Sequence, residues 1–156
     1  MNHTMRRSER ALAEAETLRI LEGGEYGVLS TCGADGQPYG VPLNYVWHEG
    51  RLYFHCAGEG HKLDNLAHAA RASFCVVGDT HPLPDVFSTL YESAVVFGET
   101  RECRDEAEKL AALQLLVDKY APENTANGYT YARRSLNKVR VICLEARKIT
   151  GKARRK

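Results

Sequence analysis

The chain has 156 residues, a formal net charge of +1 and 44% hydrophobic residues. That length fits one domain, taken as 1–156, and the apolar share supports a buried core without disulfides or metals. The near-neutral charge argues against nucleic acid, no apolar run approaches the roughly 20 residues of a membrane helix, and the polar start Met1 to Arg10 lacks a signal-peptide core, so the expected compartment is the cytoplasm.

The first segment, Ser8 to Glu22, sets Ala11, Ala15, Leu18 and Leu21 on one helical face and stops at Gly23-Gly24. A strand, Tyr26 to Cys32, ends at the turn signal Ala34-Asp35-Gly36. Alternation then runs from Tyr39 to His48, and Glu49-Gly50 turns the chain into a strand from Arg51 to Cys56. A tight turn there sets His48 opposite Arg51, Val46 opposite Tyr53 and Asn44 opposite His55. Leu43, Tyr45, Trp47, Leu52, Phe54 and Cys56 form the core face, and Asn44, Tyr53 and His55 form a mixed, functional or interfacial face.

A short helix follows over Gly60 to Arg71, with Leu63, Leu66, Ala67 and Ala70 on one face. Ser73 to Val77 is a strand, Gly78 to Ser88 a loop holding Pro82 and Pro84, and Glu92 to Cys103 another strand. The stretch Thr80 to Tyr91 is taken as a surface connection, with a substrate lid as the alternative. Asp105 and Glu108 mark an N-cap and its partner three residues on, before a helix carrying Leu110, Leu113, Leu116, Val117 and Tyr120 and stopped by Pro122. Glu123 to Leu136 is irregular, and Lys138 to Arg147 is the last strand. The basic tail of Lys148, Lys152, Arg154, Arg155 and Lys156 is expected to be solvated. About six strands in hairpin-like order with three helices predict a mainly β, α+β fold: an antiparallel barrel with helices outside. The five cysteines contain no Cys-x-x-Cys pair and are expected as reduced thiols, mostly in the core.

His55-Cys56-Ala57-Gly58-Glu59-Gly60-His61-Lys62 carries the most chemistry. A strand ends, two glycines allow close backbone approach, and a helix begins whose first N–H groups are unpaired. Such a place attracts phosphate. Lys62 in the first helical turn opposes the helix dipole, which makes sense where an anion sits. A plain tight connection is the competing explanation. His55, beside Asn44 at the mouth of this turn, is the candidate ligand-facing imidazole. His61 and His68 have no evident third ligand, so no metal site is expected. Pro42 marks a sheet edge or bulge, where a ligand can reach backbone.

Several stretches resemble the pyridoxamine 5′-phosphate oxidase-like superfamily of FMN-binding split barrels, in particular its 5-nitroimidazole antibiotic resistance branch. They are Glu25 to Thr31, Pro38 to Tyr45, Leu52 to Ala57 with Gly60-His61-Lys62, Tyr91 to Gly98, and Ile149 to Lys152. The resemblance spans about Arg6 to Lys152 and implies a six-stranded split barrel. It also implies a homodimer with FMN at the subunit interface. By position, Val41, Pro42, Leu43 and Asn44 would line the flavin ring and ribityl chain, with His55, Cys56 and Ala57 nearby. Gly60, His61 and Lys62 would hold the phosphate, and Ser93 would add a polar contact.

The implied activity is FMN-dependent reduction of small electron-poor molecules such as 5-nitroimidazoles, with His55 orienting substrate or donating a proton. Pyridoxamine phosphate is not an expected substrate, because the chain ends in Gly151-Lys152-Ala153-Arg154-Arg155-Lys156 without that enzyme's Arg- and His-bearing segment. The alternatives are a non-catalytic flavin-binding electron carrier or redox sensor, and a binder of deazaflavin or haem on fold analogy.

Overall fold

The computed structural model describes residues 3–155; Met1, Asn2 and Lys156 of the two termini named above lie outside the described residues. Seven strands form one sheet in the order β2-β1-β5-β6-β7-β4-β3, with every neighbouring pair antiparallel. The strands are β1 (Gly27–Cys32), β2 (Pro38–Leu43), β3 (Val46–His48), β4 (Arg51–Cys56), β5 (Arg71–Leu83), β6 (Ser88–Glu102) and β7 (Arg140–Arg154). The helices are α1 (Glu14–Gly23), α2 (His61–His68), α3 (Glu106–Tyr120) and α4 (Thr125–Ser135). The fold is therefore mainly β with helices as expected, but with seven strands and four helices in place of six and three.

The seventh strand arises because Tyr39 to His48 is not continuous. β2 stops at Leu43 on one edge of the sheet, and β3 starts at Val46 on the other. Three Cα steps reach at most about 11 Å. The sheet must therefore curl until its edges approach, which makes it a barrel closed by a crossing of chain in place of a hydrogen-bonded ladder. Tyr45 fills the barrel at the crossing: its ring is fully buried, 4.9 Å from that of Phe74, and its hydroxyl donates to Leu21 O at 2.6 Å. The Tyr120 hydroxyl secures the same point from α3. It accepts from Tyr45 N–H at 2.9 Å and lies 2.6 Å from Glu25 O and 3.0 Å from Tyr45 O.

Two cores follow from the alternation of the strands. Leu52, Phe54 and Cys56 point into the barrel with Leu29, Phe74, Val76, Val96, Ile142 and Leu144, and α1 closes this core with Ile20 and Leu21. Tyr53, Val141 and Cys143 point outward, under Leu113 and Leu116 of α3 and Ala132 of α4. Tyr53 is thus buried at 5% exposure and is not part of an open functional face. Its hydroxyl lies 3.2 Å from Glu108, which Arg101 grips with two nitrogens at 2.7 and 2.8 Å. Glu108 N–H in turn donates to Asp105 at 2.9 Å, the expected helix cap. The Arg101 guanidinium holds the Glu108 carboxyl below its ordinary range.

α4 occupies the stretch expected to be irregular. Gly128 is its contact point: a Cβ there would sit 2.4 Å from Val117 Cγ1 of α3. β5 and β6 extend past Gly78 as a paired hairpin, with Thr80 opposite Tyr91 and Leu83 opposite Ser88. Thr80 to Tyr91 is therefore a largely exposed surface connection built as a paired ribbon, turning through a 3₁₀ segment at Pro84–Val86. The basic tail through Arg154 also pairs with β6, so it is not solvated coil. Cys56, Cys103 and Cys143 are buried thiols, with Cys32 exposed and Cys75 between.

Tyr120→Phe tests the crossing. Removing the hydroxyl leaves the part-buried Tyr45 N–H without its acceptor, so stability should fall by about 1–3 kcal/mol in urea unfolding. An unchanged midpoint would show that the crossing holds without Tyr120.

Candidate functional site

The candidate anion site is built by the turn from β4 into α2. Gly60 sits at φ 139° and ψ 163°, a conformation that L side chains rarely adopt, so glycine is required there by the backbone. Its carbonyl accepts from Leu63 N–H at 2.8 Å and Asp64 N–H at 3.2 Å. The N–H groups of His61 and Lys62 precede those and are not used by the helix. No side chain caps this end of α2. The His61 ring stacks on Tyr39 of β2 with centroids 4.0 Å apart, which ties the start of α2 to the barrel edge. Inside α2, the Asn65 amide donates to Thr31 Oγ1 of β1 at 3.0 Å, both side chains buried. The helix start is therefore fixed against two strands.

Cys56 reports the local field. Burial pushes its thiol up, while the Lys62 ammonium and the Arg140 guanidinium pull it down. Cys56 itself faces the barrel core, as do Val41 and Leu43. Cys56 is buried, so only its backbone is available to a ligand outside the barrel, whereas Val41 and Leu43 are half-buried. The exposed groups are Pro42, Asn44, His55 and Ala57, which alternate with them as strand geometry requires. Val46↔Tyr53 and His48↔Arg51 pair as expected. Asn44 lies beyond the ladder, yet it and His55 line one recess.

That recess, of about 260 Å³, lies between β4 and the α3–α4 pair and includes Leu113, Leu116, Val117, Ala132 and Ser135. Sequence reasoning missed it because α4 was not foreseen; the only signal was the Leu113, Leu116, Val117 stripe. A shallower cleft runs along the crossing past Glu25, Tyr26, Pro42, Leu43 and Asn44. Ser93 pairs with Lys152, eleven residues along β7 from the Val141 that pairs with His55, and on its other side with Val77 of β5, which leads through β1 to the Pro42–Leu43 edge.

A further recess of about 410 Å³ adjoins Gly58 and Glu59 and holds Arg101, Arg104 and Arg140. Glu59, Asp64 and Glu102 line it as well, so its charges cancel. Arg140 is already committed to Glu102, at 2.7 and 2.8 Å, and to Gly58 O at 3.3 Å. It supports the glycine turn and offers little to a second anion. Among the described residues, no three His, Cys, Asp or Glu side chains are grouped to hold a metal. No helix among the described residues is long and apolar enough to cross a membrane.

Beside Asn44, the Lys119 ammonium lies 3.8 Å from the centre of the Tyr45 ring, and its nitrogen is buried without a hydrogen-bond partner. Burial lowers it to about 8. A folded-state value below the unfolded one means that the unfolded chain binds more protons between the two, so stability rises with pH across that interval. Relative to Lys119→Met, the wild type should gain on the order of 1 kcal/mol from pH 8 to pH 10, after discounting for partial exposure. Parallel pH profiles in denaturant unfolding would show that Lys119 stays ordinarily solvated.

Residues 13–153 match the model of the family described as pyridoxamine 5′-phosphate oxidase. No curated protein is detectably similar in sequence. Among solved structures, a Bacteroides thetaiotaomicron protein named for 5-nitroimidazole antibiotic resistance superposes with a TM-score of 0.80 at 21% identity, covering 92% of this chain and 86% of that one. A conserved hypothetical protein of Mycobacterium tuberculosis gives 0.81 at 19% identity, covering 96% and 90%. The FAD and heme binding protein of Mycobacterium smegmatis gives 0.79 at 21%, covering 92% and 72%. At these identities the likeness is one of fold.

Proposed function

Because the chain belongs to the pyridoxamine 5′-phosphate oxidase family, a superfamily of FMN-binding split barrels, we propose that it is a homodimeric, cytoplasmic FMN-dependent reductase of small electron-poor molecules, 5-nitroimidazoles among them. The observation that carries this reading is the start of α2. Two N–H groups that the helix leaves unused, a glycine at φ 139° and Lys62 in the first turn occur together there, a combination suited to a phosphate monoester.

FMN, when bound, would supply the hydride and electron transfer chemistry. The chain's own residues bind and orient. Lys62 and the backbone of Gly60 to Lys62 hold the phosphate. The backbone of Val41 to Leu43, with Pro42 and Asn44 exposed, forms one wall for the ring and ribityl chain. The backbone of Cys56 and the exposed Ala57 continue that wall toward the phosphate. His55 stands exposed beside Asn44, placed to orient a substrate or hold a proton at an imidazole nitrogen. Ser93 would add a polar contact, and the homodimer with the cofactor at the subunit interface is part of the same proposal. The Bacteroides protein named for 5-nitroimidazole resistance supports the substrate class by likeness of fold. The Mycobacterium smegmatis protein supports a wider choice of cofactor, FAD or haem, on the same footing.

The visible spectrum of the purified protein decides among these. Oxidised-flavin bands are expected; a Soret band would assign haem, and failure to take up added FMN would overturn the proposal. Lys62→Ala should weaken FMN about 10- to 100-fold, the equivalent of one charge-assisted hydrogen bond. Riboflavin, which lacks the phosphate, should bind both proteins equally. Equal losses for the two ligands would place the phosphate elsewhere.

A further inference from the structure

The recess between β4 and the α3–α4 pair has a composition that the cofactor does not explain. At about 260 Å³ it is smaller than the roughly 300–1,000 Å³ of sites for drug-sized ligands. Its walls are Leu113, Leu116, Val117, Ala132 and Val139. Among the described residues that line it, none is Asp, Glu, Lys or Arg.

Its polar groups are few. The Tyr120 hydroxyl is committed to the crossing. The remaining polar side chains inside are Asn44 and His55 from the sheet and Ser135 from α4. Their side-chain groups take no part in the hydrogen bonds that hold the crossing or cap α3. Tyr131, 74% exposed, stands at the rim and offers an aromatic face to an entering ring. A mainly apolar recess that no Asp, Glu, Lys or Arg lines gives an ion little compensation for the water it loses. It favours a neutral molecule whose polar edge meets an amide, an imidazole and a hydroxyl.

We infer that this recess is a binding site for a neutral, planar, single-ring molecule carrying hydrogen-bond acceptors. The ring packs against α3 and α4, and its polar edge turns to Asn44, His55 and Ser135. Asn44 also borders the cleft along the crossing. The occupant therefore adjoins the wall assigned above to the flavin, and its identification as the electron acceptor rests on that reading. Because no Asp, Glu, Lys or Arg lines the recess, an anionic ring of the same size finds no ion-pair partner there beyond His55.

The test uses nitrobenzene and 4-nitrobenzoate, which share ring and nitro group and differ in charge. Each is titrated into the intact protein, with and without FMN, while backbone amide shifts are followed by NMR. Nitrobenzene should shift the amides of Ala132, Ser135 and Val139 and bind at least tenfold more tightly than 4-nitrobenzoate. Ala132→Phe, which fills the recess, should weaken nitrobenzene at least tenfold. If that variant does not fold, Ser135→Ala serves: nitrobenzene should weaken several-fold while toluene, lacking the acceptors, should not change. Equal binding of the two probes, shifts confined to other surfaces, or indifference to both variants would overturn the inference. Nitrobenzene binding here in a protein that takes up no flavin would leave the recess standing and remove the flavin reading. FMN uptake with no nitrobenzene response at these amides would do the reverse.

Discussion

Two residues, Asn44 and Tyr45, set the shape of the molecule. They join strands on opposite edges of a seven-stranded sheet, so the sheet must close on itself. A crossing of this kind leaves backbone polar groups where no ladder can form, and buried ones must find partners. Tyr120 supplies one, reaching from the last residue of α3 to the amide of Tyr45 and to the carbonyls of Glu25 and Tyr45. The α3–α4 pair is thereby more than a cover for the outer core. It fixes the seam on which Asn44 lies, and it forms the recess that Asn44 and His55 share.

The same constraint leaves β2 as an edge strand, and the sequence suits that role. Pro38 and Pro42 bring no N–H to a ladder, and edges are where proline is tolerated. Such an edge resists pairing with a second sheet but leaves carbonyls and alternate side chains open to a ligand. The stack of His61 on Tyr39 sets the start of α2 close to this edge. One end of the exposed surface is therefore mainly backbone, with Lys62 beside it, and the other is side chain, with no Asp, Glu, Lys or Arg in its lining.

How much of this the sequence carried depended on the range of the interaction. The β3–β4 register was legible because a two-residue turn is local; Glu49 and Gly50 both take positive φ there. The Asp105 cap and the glycine turn before α2 were legible for the same reason. The break at Asn44 was not, since alternation from Tyr39 to His48 continues unbroken across it, and only the rest of the sheet decides that the two halves sit on opposite edges. α4 was hidden by Gly128, which reads as a breaker until α3 is known to pass so close that a Cβ would meet Val117. The hairpin beyond Gly78 was hidden by Pro82 and Pro84, which are tolerated because one lies on a projecting ribbon and the other starts the 3₁₀ tip. The basic tail concealed a strand because charge on one face does not prevent pairing: Ile149, Gly151 and Ala153 alternate with Lys148, Lys152 and Arg154 along β6.

The candidate site divides in the same way. Its anion end depends mainly on backbone geometry, on one glycine and one lysine, so almost any sequence that keeps this turn keeps that capacity. Its recess end depends on side chains donated by a helix pair that is inserted between β6 and β7 and contributes nothing to the ladder. Substitutions at Leu113, Val117, Ala132 or Ser135 would change what fits without removing any hydrogen bond of the ladder that holds His55. A fold built like this conserves the means of holding a cofactor more readily than the choice of what the cofactor meets. For that reason the likeness to distant structures supports the barrel, whereas the identity of the acceptor has to be argued from this chain's own recess.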